Sequence, residues 1–438
     1  MGRAVEAFLG AAAQRFRVYV ERLAQSLGHA DRHEPLRGYL TGLMLPGARK
    51  SVEPMAALLA PTRVRQTHQS LHHLVADAPW EDEAVLQAVR AYALAAMAKH
   101  GPIEAWIVDD TGMPKKGQHS VGVARQYCGQ LGKQDNCQVA VTLSVANETA
   151  SLPIAYQLYL PEVWASDRRR RRKAGVPEEL GFLTKPKIAM RQITAAVAQG
   201  VQVGVVLADA AYGNDSKFRN GLAALGLKYA LGVQSTTTVW PEGGGPLAPP
   251  RYCGCGRPPK LLRRDAAHQP LAVRELALRR LAPTSWRTVT WREGTAGMLR
   301  SRFAALRVRT AHRDYGQTVP NGEQWLLIEW PKGAAEPAKY WLANLAAATP
   351  LKELVRTAKL RWRIERDFQE LKQELGLNHF EGRSWRGFHH HATLCIAAYG
   401  FLVAERCAFS PTGPLRRQSL SPPRHFRPRG APAQAAAP

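Results

Sequence analysis

Acidic residues are scarce in this 438-residue sequence: Asp and Glu total 35 against 60 Lys and Arg, a formal charge of +25. An excess of that size favours a polyanionic partner, with nucleic acid first and an anionic membrane second. Cysteine is scarce too. The six at positions 128, 137, 253, 255, 395 and 407 form no C-x-x-C pair, so neither a zinc knuckle nor a disulfide framework is indicated. Cys253 and Cys255 stand closer than the usual zinc spacing, and all six read as reduced thiols. No apolar run approaches a membrane span, and the arginine-bearing amphipathic N-terminus lacks the layout of a signal peptide. A cytoplasmic protein is expected. The GxxxxGK[ST] phosphate cradle is missing as well, which weakens an NTPase reading, and there is no internal repeat.

What is present describes a folded chain of two or three domains, 45% hydrophobic. Residues 1–100 read as helices at 5–27, 37–43, 52–59, 63–76 and 81–100, separated by Pro, Gly and Asp breakers. Arg63, Arg65 and the polar run 68–73 suit a helical DNA-binding domain, or equally a helical subdomain with a solvated basic surface. No helix-turn-helix signature singles out recognition residues.

From 101 to 235 the pattern changes. AWIV at 105–108 reads as a strand running into Asp109 and Asp110, followed by the turn-like TGMPKKG, with further strands at 119–127, 138–145 and 152–160. The run DRRRRRK at 167–173 reads as a solvated segment able to touch phosphate. A helix at 187–198 precedes the uniformly apolar 201–208, a central buried strand with Asp209 at its end. A helix at 216–225 and a strand at 228–233 complete an α/β pattern, a mixed sheet with flanking helices. The Pro- and Gly-rich 241–260 marks a boundary, and short strands at 286–291, 303–309, 325–330 and 340–345 make 236–345 a β-rich insertion. Residues 346–408 return to helix. The basic, Pro-rich 409–438 is expected to be disordered.

The segment 349–375 reads as one long helix: Thr349 and Pro350 suit its start and Gly376 its end. Its solvated side collects Lys352, Arg356, Lys359, Arg363, Arg366, Asp367, Glu370 and Glu374, at about 100° per residue. Arg361, Glu365 and Lys372 fall on a separate stripe between apolar flanks. Inward charge is costly unless paired or bound. The stripe is therefore either an internal Arg361–Glu365 pair with Lys372 reaching for solvent, or a site carboxylate framed by two anion-binding cations.

Asp110, Asp209 and Glu365 can converge, two from strand ends and one from a packing helix, on hard cations that take oxygen ligands. A pair of Mg²⁺ ions so held would serve phosphodiester displacement. Residues 361, 365 and 372 match three positions of a Tyr-x-x-Arg-x-x-x-Glu-x-x-x-x-x-x-Lys signature, with Ala358 at its Tyr position. With IVDDTGMPKKG, VLADAAYG, PEVWASDRRRRRKAGVP and GRSWRGFHHH, the sequence resembles the DDE-type insertion-sequence transposases of the Tyr-Arg-Glu-Lys branch, over most of residues 35–405. The resemblance implies an RNase H-like catalytic core and Mg²⁺-dependent cut-and-paste transposition, Mn²⁺ able to substitute. It assigns Asp110, Asp209 and Glu365 as catalytic metal ligands, and Arg361 and Lys372 as grips on phosphates at the transposon end. It places Thr directly after the first ligand, which selects Asp110 over its neighbour Asp109, although strand alternation alone cannot choose between them. It implies double-stranded DNA partners, the terminal inverted repeats and target DNA, a homodimer in the synaptic complex, and a bacterial, nucleoid-associated location. A copy that binds ends without cutting, acting as a repressor, is the alternative.

Lys115, Lys116 and Arg125 are candidate phosphate contacts near the first acid, or solvated surface. His389, His390 and His391 cannot all face one ion from consecutive helical positions, so packing or backbone contact is expected. Trp362 and Trp385 are candidates for stacking a displaced base, and Trp362 reads as core.

Overall fold

The computed structural model describes residues 2–294, 297–312 and 314–409. Five helices come first: α1 (Gly2–Ala24), α2 (His33–Met44), α3 (Val52–Leu59), α4 (Val64–Ala76) and α5 (Asp82–Met97). Next come strands β1 (Ala105–Pro114), β2 (Ala124–Cys128), β3 (Lys133–Ala146) and β4 (Ser151–Leu158), then helices α6 (Glu162–Ala165), α7 (Arg168–Ala174) and α8 (Lys185–Ala198). The middle continues with β5 (Val205–Ala208), α9 (Ala210–Gly213), α10 (Ser216–Ala224), β6 (Tyr229–Val233), β7 (Thr238–Trp240), β8 (Leu271–Ala272) and α11 (Val273–Arg280). The hairpin β9 (Arg287–Gly294) and β10 (Gly297–Thr310), β11 (Glu323–Trp330), β12 (Lys339–Ala343), α12 (Leu351–Lys359), α13 (Arg363–Gln373) and α14 (Trp385–Phe409) complete the chain.

This is a mixed α/β architecture on a 12-stranded sheet. Its path runs β2-β3-β1-β5-β6-β12-β11-β10-β7-β8, with β4 on β3 and β9 on β10. β1 is antiparallel to β3 and parallel to β5, and β5 is parallel to β6. The strands of 236–345 continue this sheet, because β12 pairs antiparallel with β6. They also bury a cluster of their own, with Val239, Val273, Val308, Leu326 and Ile328.

The first hundred residues do not close a separate core. Tyr19, Leu40, Leu74 and Val89 share one apolar cluster with Ile107, Val141 and Ala397 of the sheet and α14. α14 is also long and apolar enough to cross a membrane by length and composition, contrary to the expectation that no run is, but 72% of its most apolar window is buried inside the protein. Its three histidines explain part of that placement. His390 stacks on Trp80 with ring centroids 3.6 Å apart, His391 meets the Tyr39 hydroxyl at 2.8 Å, and His389 Nε2 accepts the Leu158 N–H at 3.2 Å. They are packing groups that tie α14 to the N-terminal helices and to β4.

Two local readings are corrected. β1 does not stop at Val108 but continues through Asp109 to Pro114, because each residue to Pro114 has a partner on β3. The single helix over 349–375 is two helices joined by a 3₁₀ turn at Leu360–Trp362. α12 buries Leu354, Val355 and Ala358 against Phe303 and Leu327 of the added strands, whereas α13 buries Ile364, Phe368 and Leu371 in the main core. On one uniform helix those two sets would point about 120° apart, so the chain changes phase between them. The tail from residue 410 onward, expected to be disordered, lies outside the described residues.

Candidate active site

β1 and β5 lie side by side with Ala105 level with Val205, Trp106 with Val206 and Ile107 with Leu207. Asp109 and Asp209 each follow two residues after the last of these pairs, Asp209 directly after β5, and lie near enough for the Asp209 charge to act on Asp109. Residues level with one another on parallel strands project to the same face. Asp209 also caps α9, its Oδ1 accepting the Ala211 N–H at 2.9 Å. The Asp109 carboxylate accepts from Arg361 Nη1 at 2.8 Å. Burial pushes Asp109 up to about 6; Arg361 opposes that rise and the Asp209 charge adds to it.

Asp110 points the other way, as alternation requires. Its Oδ2 lies 2.6 Å from Lys185 Nζ at the start of α8, and its Oδ1 accepts the Tyr212 hydroxyl. Tyr212 is fully buried. Its phenol is held well above the usual range by burial first, then by the charges of Asp110, Asp109 and Asp209. Tyr212, three residues after Asp209, thus braces the middle of β1 against the end of β5. The motif ADAAYG was the signal for Tyr212; nothing in the sequence pointed to Lys185.

The helix expected to carry the third acid runs along β1. Arg361 in the 3₁₀ turn reaches Asp109, and Lys372 on α13 donates to the Gly112 carbonyl at 2.8 Å. Burial lowers the Lys372 pKa, while the neighbouring Cys128 and Asp109 act to raise it. Glu365 lies between these contacts in sequence, about 20° from Lys372 around the helix. It is exposed, so the inward stripe holds for Arg361 and Lys372 and is corrected for Glu365: α13 turns its buried side to the core and leaves Glu365 on a flank. The Arg361–Glu365 ion pair considered from the sequence does not form, because Arg361 is taken by Asp109. Among the described residues, no three acidic, His or Cys side chains converge as a ready metal site.

Of the charges read as solvated, Asp367 is buried and Lys359 half-buried. Asp367 accepts from Ser151 Oγ at 2.7 Å and from the Tyr399 hydroxyl at 2.8 Å. Lys359 lies 2.6 Å from Glu329 Oε2 and 4.4 Å from the centre of the Trp291 ring. Ala358, at the signature's Tyr position, is buried in the same apolar cluster as Phe303 and Leu327.

The remaining candidates divide. Lys115 Nζ donates to the Phe380 carbonyl at 2.6 Å, and burial lowers its pKa to about 8, whereas Lys116 and Arg125 are exposed. The DRRRRRK run forms α7, capped by Asp167. Within it Arg171 is consumed by the carbonyls of Ala165, Pro177, Glu178 and Leu180, and Arg170 lies 3.8 Å from the centre of the Trp164 ring. Trp362 is half-buried beneath the Arg292 guanidinium, 3.4 Å from the ring centre. Trp385 packs on His389.

The family described as DDE superfamily endonuclease matches residues 22–298, a stretch that holds Asp109, Asp110 and Asp209 and stops before Glu365. A probable transposase for insertion sequence element IS701 from Microchaete diplosiphon is 36% identical over 172 residues, or 39% of this chain and 42% of that protein. The shared segment therefore spans less than half of either protein. With the family match covering more than half of the chain, the protein belongs to the DDE superfamily of endonucleases.

Proposed function

We propose that this protein is an insertion-sequence transposase that cleaves and joins DNA at the ends of its element on an RNase H-like core. The strand order β4-β3-β1-β5-β6, with β5 and β6 parallel to β1, supports such a core. The observation that carries the reading is the register that sets Asp109 beside Asp209 on one face, with Arg361 from the Glu365-bearing segment on the same carboxylate.

That register favours Asp109 over Asp110 as the first acid. Asp109 and Asp209 are two oxygen donors whose mutual repulsion a hard cation would relieve. Glu365, exposed on the flank of α13 next to Asp109's partner Arg361, is the third carboxylate in this reading. Mg²⁺ ions held there would lower the pKa of a water or a DNA 3′-hydroxyl and stabilise the leaving oxygen. Arg361, on the Asp109 carboxylate, would be the cation nearest a DNA phosphate at this site, for which its planar fork is suited. Lys372, anchored on Gly112, places a second positive charge along the same strand. Duplex DNA, in a homodimeric complex of two ends, is the partner of this reading.

Glu365→Gln is expected to bind end DNA with an affinity within about twofold of the parent and to lose Mg²⁺-dependent strand cleavage, read on a labelled duplex. Undiminished cleavage would remove Glu365 from the site. Cleavage absent from the parent protein, with end binding intact, would favour the repressor alternative.

A further inference from the structure

A cleft of about 600 Å³ opens away from the acids, where α3, α4 and α7 meet the segment between α13 and α14. Its walls bring together Lys50, His68, His72, Lys173, His379 and Arg383, from parts of the chain far apart in sequence. Three acids also line it. Asp77 is already engaged by His72 and His73 at 3.7 and 3.8 Å, Glu381 is paired with Arg49, and only Glu53 is left to oppose the cations. Among the described residues, the side chains of Lys173 and Arg383 have no hydrogen-bond or ion-pair partner.

The cleft is joined to the acid pair by one strand. β1 leaves Asp109, passes the Lys372 contact at Gly112, and one residue after its end Lys115 donates to the carbonyl of Phe380, which lines the cleft. Five residues of extended chain from Asp109 to Pro114 cover about 17 Å. At about 3.4 Å per base pair that is roughly five base pairs of duplex.

The geometry points to this cleft as a second DNA-backbone site, which takes phosphates of the end duplex about five base pairs inside the strand cut at the acids. Its ligand is duplex DNA, held through phosphate charge by the unpartnered Lys173 and Arg383. The inference rests on the transposase reading and specifies which surface beyond the acids receives the DNA. It also gives the N-terminal helices a role that needs no recognition helix: α3 and α4 complete a phosphate groove with α7.

The test is fluorescence anisotropy of the full chain with a labelled 30-base-pair duplex over a series of salt concentrations. Lys173→Ala with Arg383→Ala is expected to reduce the slope of log affinity against log salt by about 1.8, two phosphate contacts at about 0.9 each, with an unchanged melting temperature. Arg279→Ala on α11 with Lys332→Ala in the turn after β11 removes the same charge and is expected to leave the slope alone. Equal slopes for the parent and the cleft variant, or equal losses for the cleft and control variants, would overturn the second site. Absence of any salt-dependent binding by the parent would instead overturn the transposase reading itself.

Discussion

Adjacent carboxylates in this protein live in different surroundings. Asp109 is held by Arg361 on the face it shares with Asp209, while Asp110 is held by Lys185 and Tyr212 on the other. A hydrogen bond to an ionised group contributes about 1.5–3 kcal/mol. Tyr212→Phe should therefore lower stability by about that amount in urea unfolding, with duplex binding retained. Unchanged stability would mean that the phenol does not brace β1 against α9. The Asp-Asp pair was legible in the sequence, and so was the fact that only one of the two can enter a site. Which one enters was not, because that depends on the strand lying alongside, and a register is a property of two strands.

At the scale of elements, α12 and α13 show how a helix pattern misleads when its two halves serve different cores. Read as one amphipathic helix, the segment sends Lys359 and Asp367 to solvent; in the structure Asp367 is buried and Lys359 half-buried, each by its own half. Burial pushes Asp367 up to about 6, against the hydrogen bonds from Ser151 and Tyr399. A carboxyl whose folded pKa lies above its unfolded value weakens the fold where it is ionised, and the penalty disappears as pH falls through the folded value towards the unfolded one. Asp367→Asn keeps an oxygen for Ser151 and Tyr399 without the charge. It should be more stable than the parent by up to about 3 kcal/mol at pH 7.5, for a rise of roughly two pH units, with the advantage gone near pH 4. Urea unfolding at the two pH values checks this, and a variant less stable at pH 7.5 would show that the charge is compensated. Most strands and helices outside this segment were legible from their patterning, as with β3, α8 and α10; α8 and α10 each bury one face, while the apolar half of β3 is buried on both.

For the whole molecule, long-range pairing determined what the sequence could not. The β-rich segment after Asp209 was visible as short strands, but its continuation of the main sheet through β12 on β6 requires strands more than a hundred residues apart to meet. The N-terminal helices were legible one by one, and their fusion with α14 into a common core was not. The result is a long sheet with Asp109 midway along β1 and Asp209 just past β5, the Arg361–Lys372 segment along one side, and a basic cleft beyond Pro114. The central claim is that Asp109, and not Asp110, works with Asp209. It is tested by comparing Asp109→Asn and Asp110→Asn for Mg²⁺-dependent cleavage of a labelled end duplex, with binding measured in parallel. Asp109→Asn is expected to lose cleavage by at least a thousandfold, on the order of removing an essential group, with binding kept, and Asp110→Asn to lose about tenfold or less. Full cleavage by Asp109→Asn alongside an inactive, folded Asp110→Asn would contradict it.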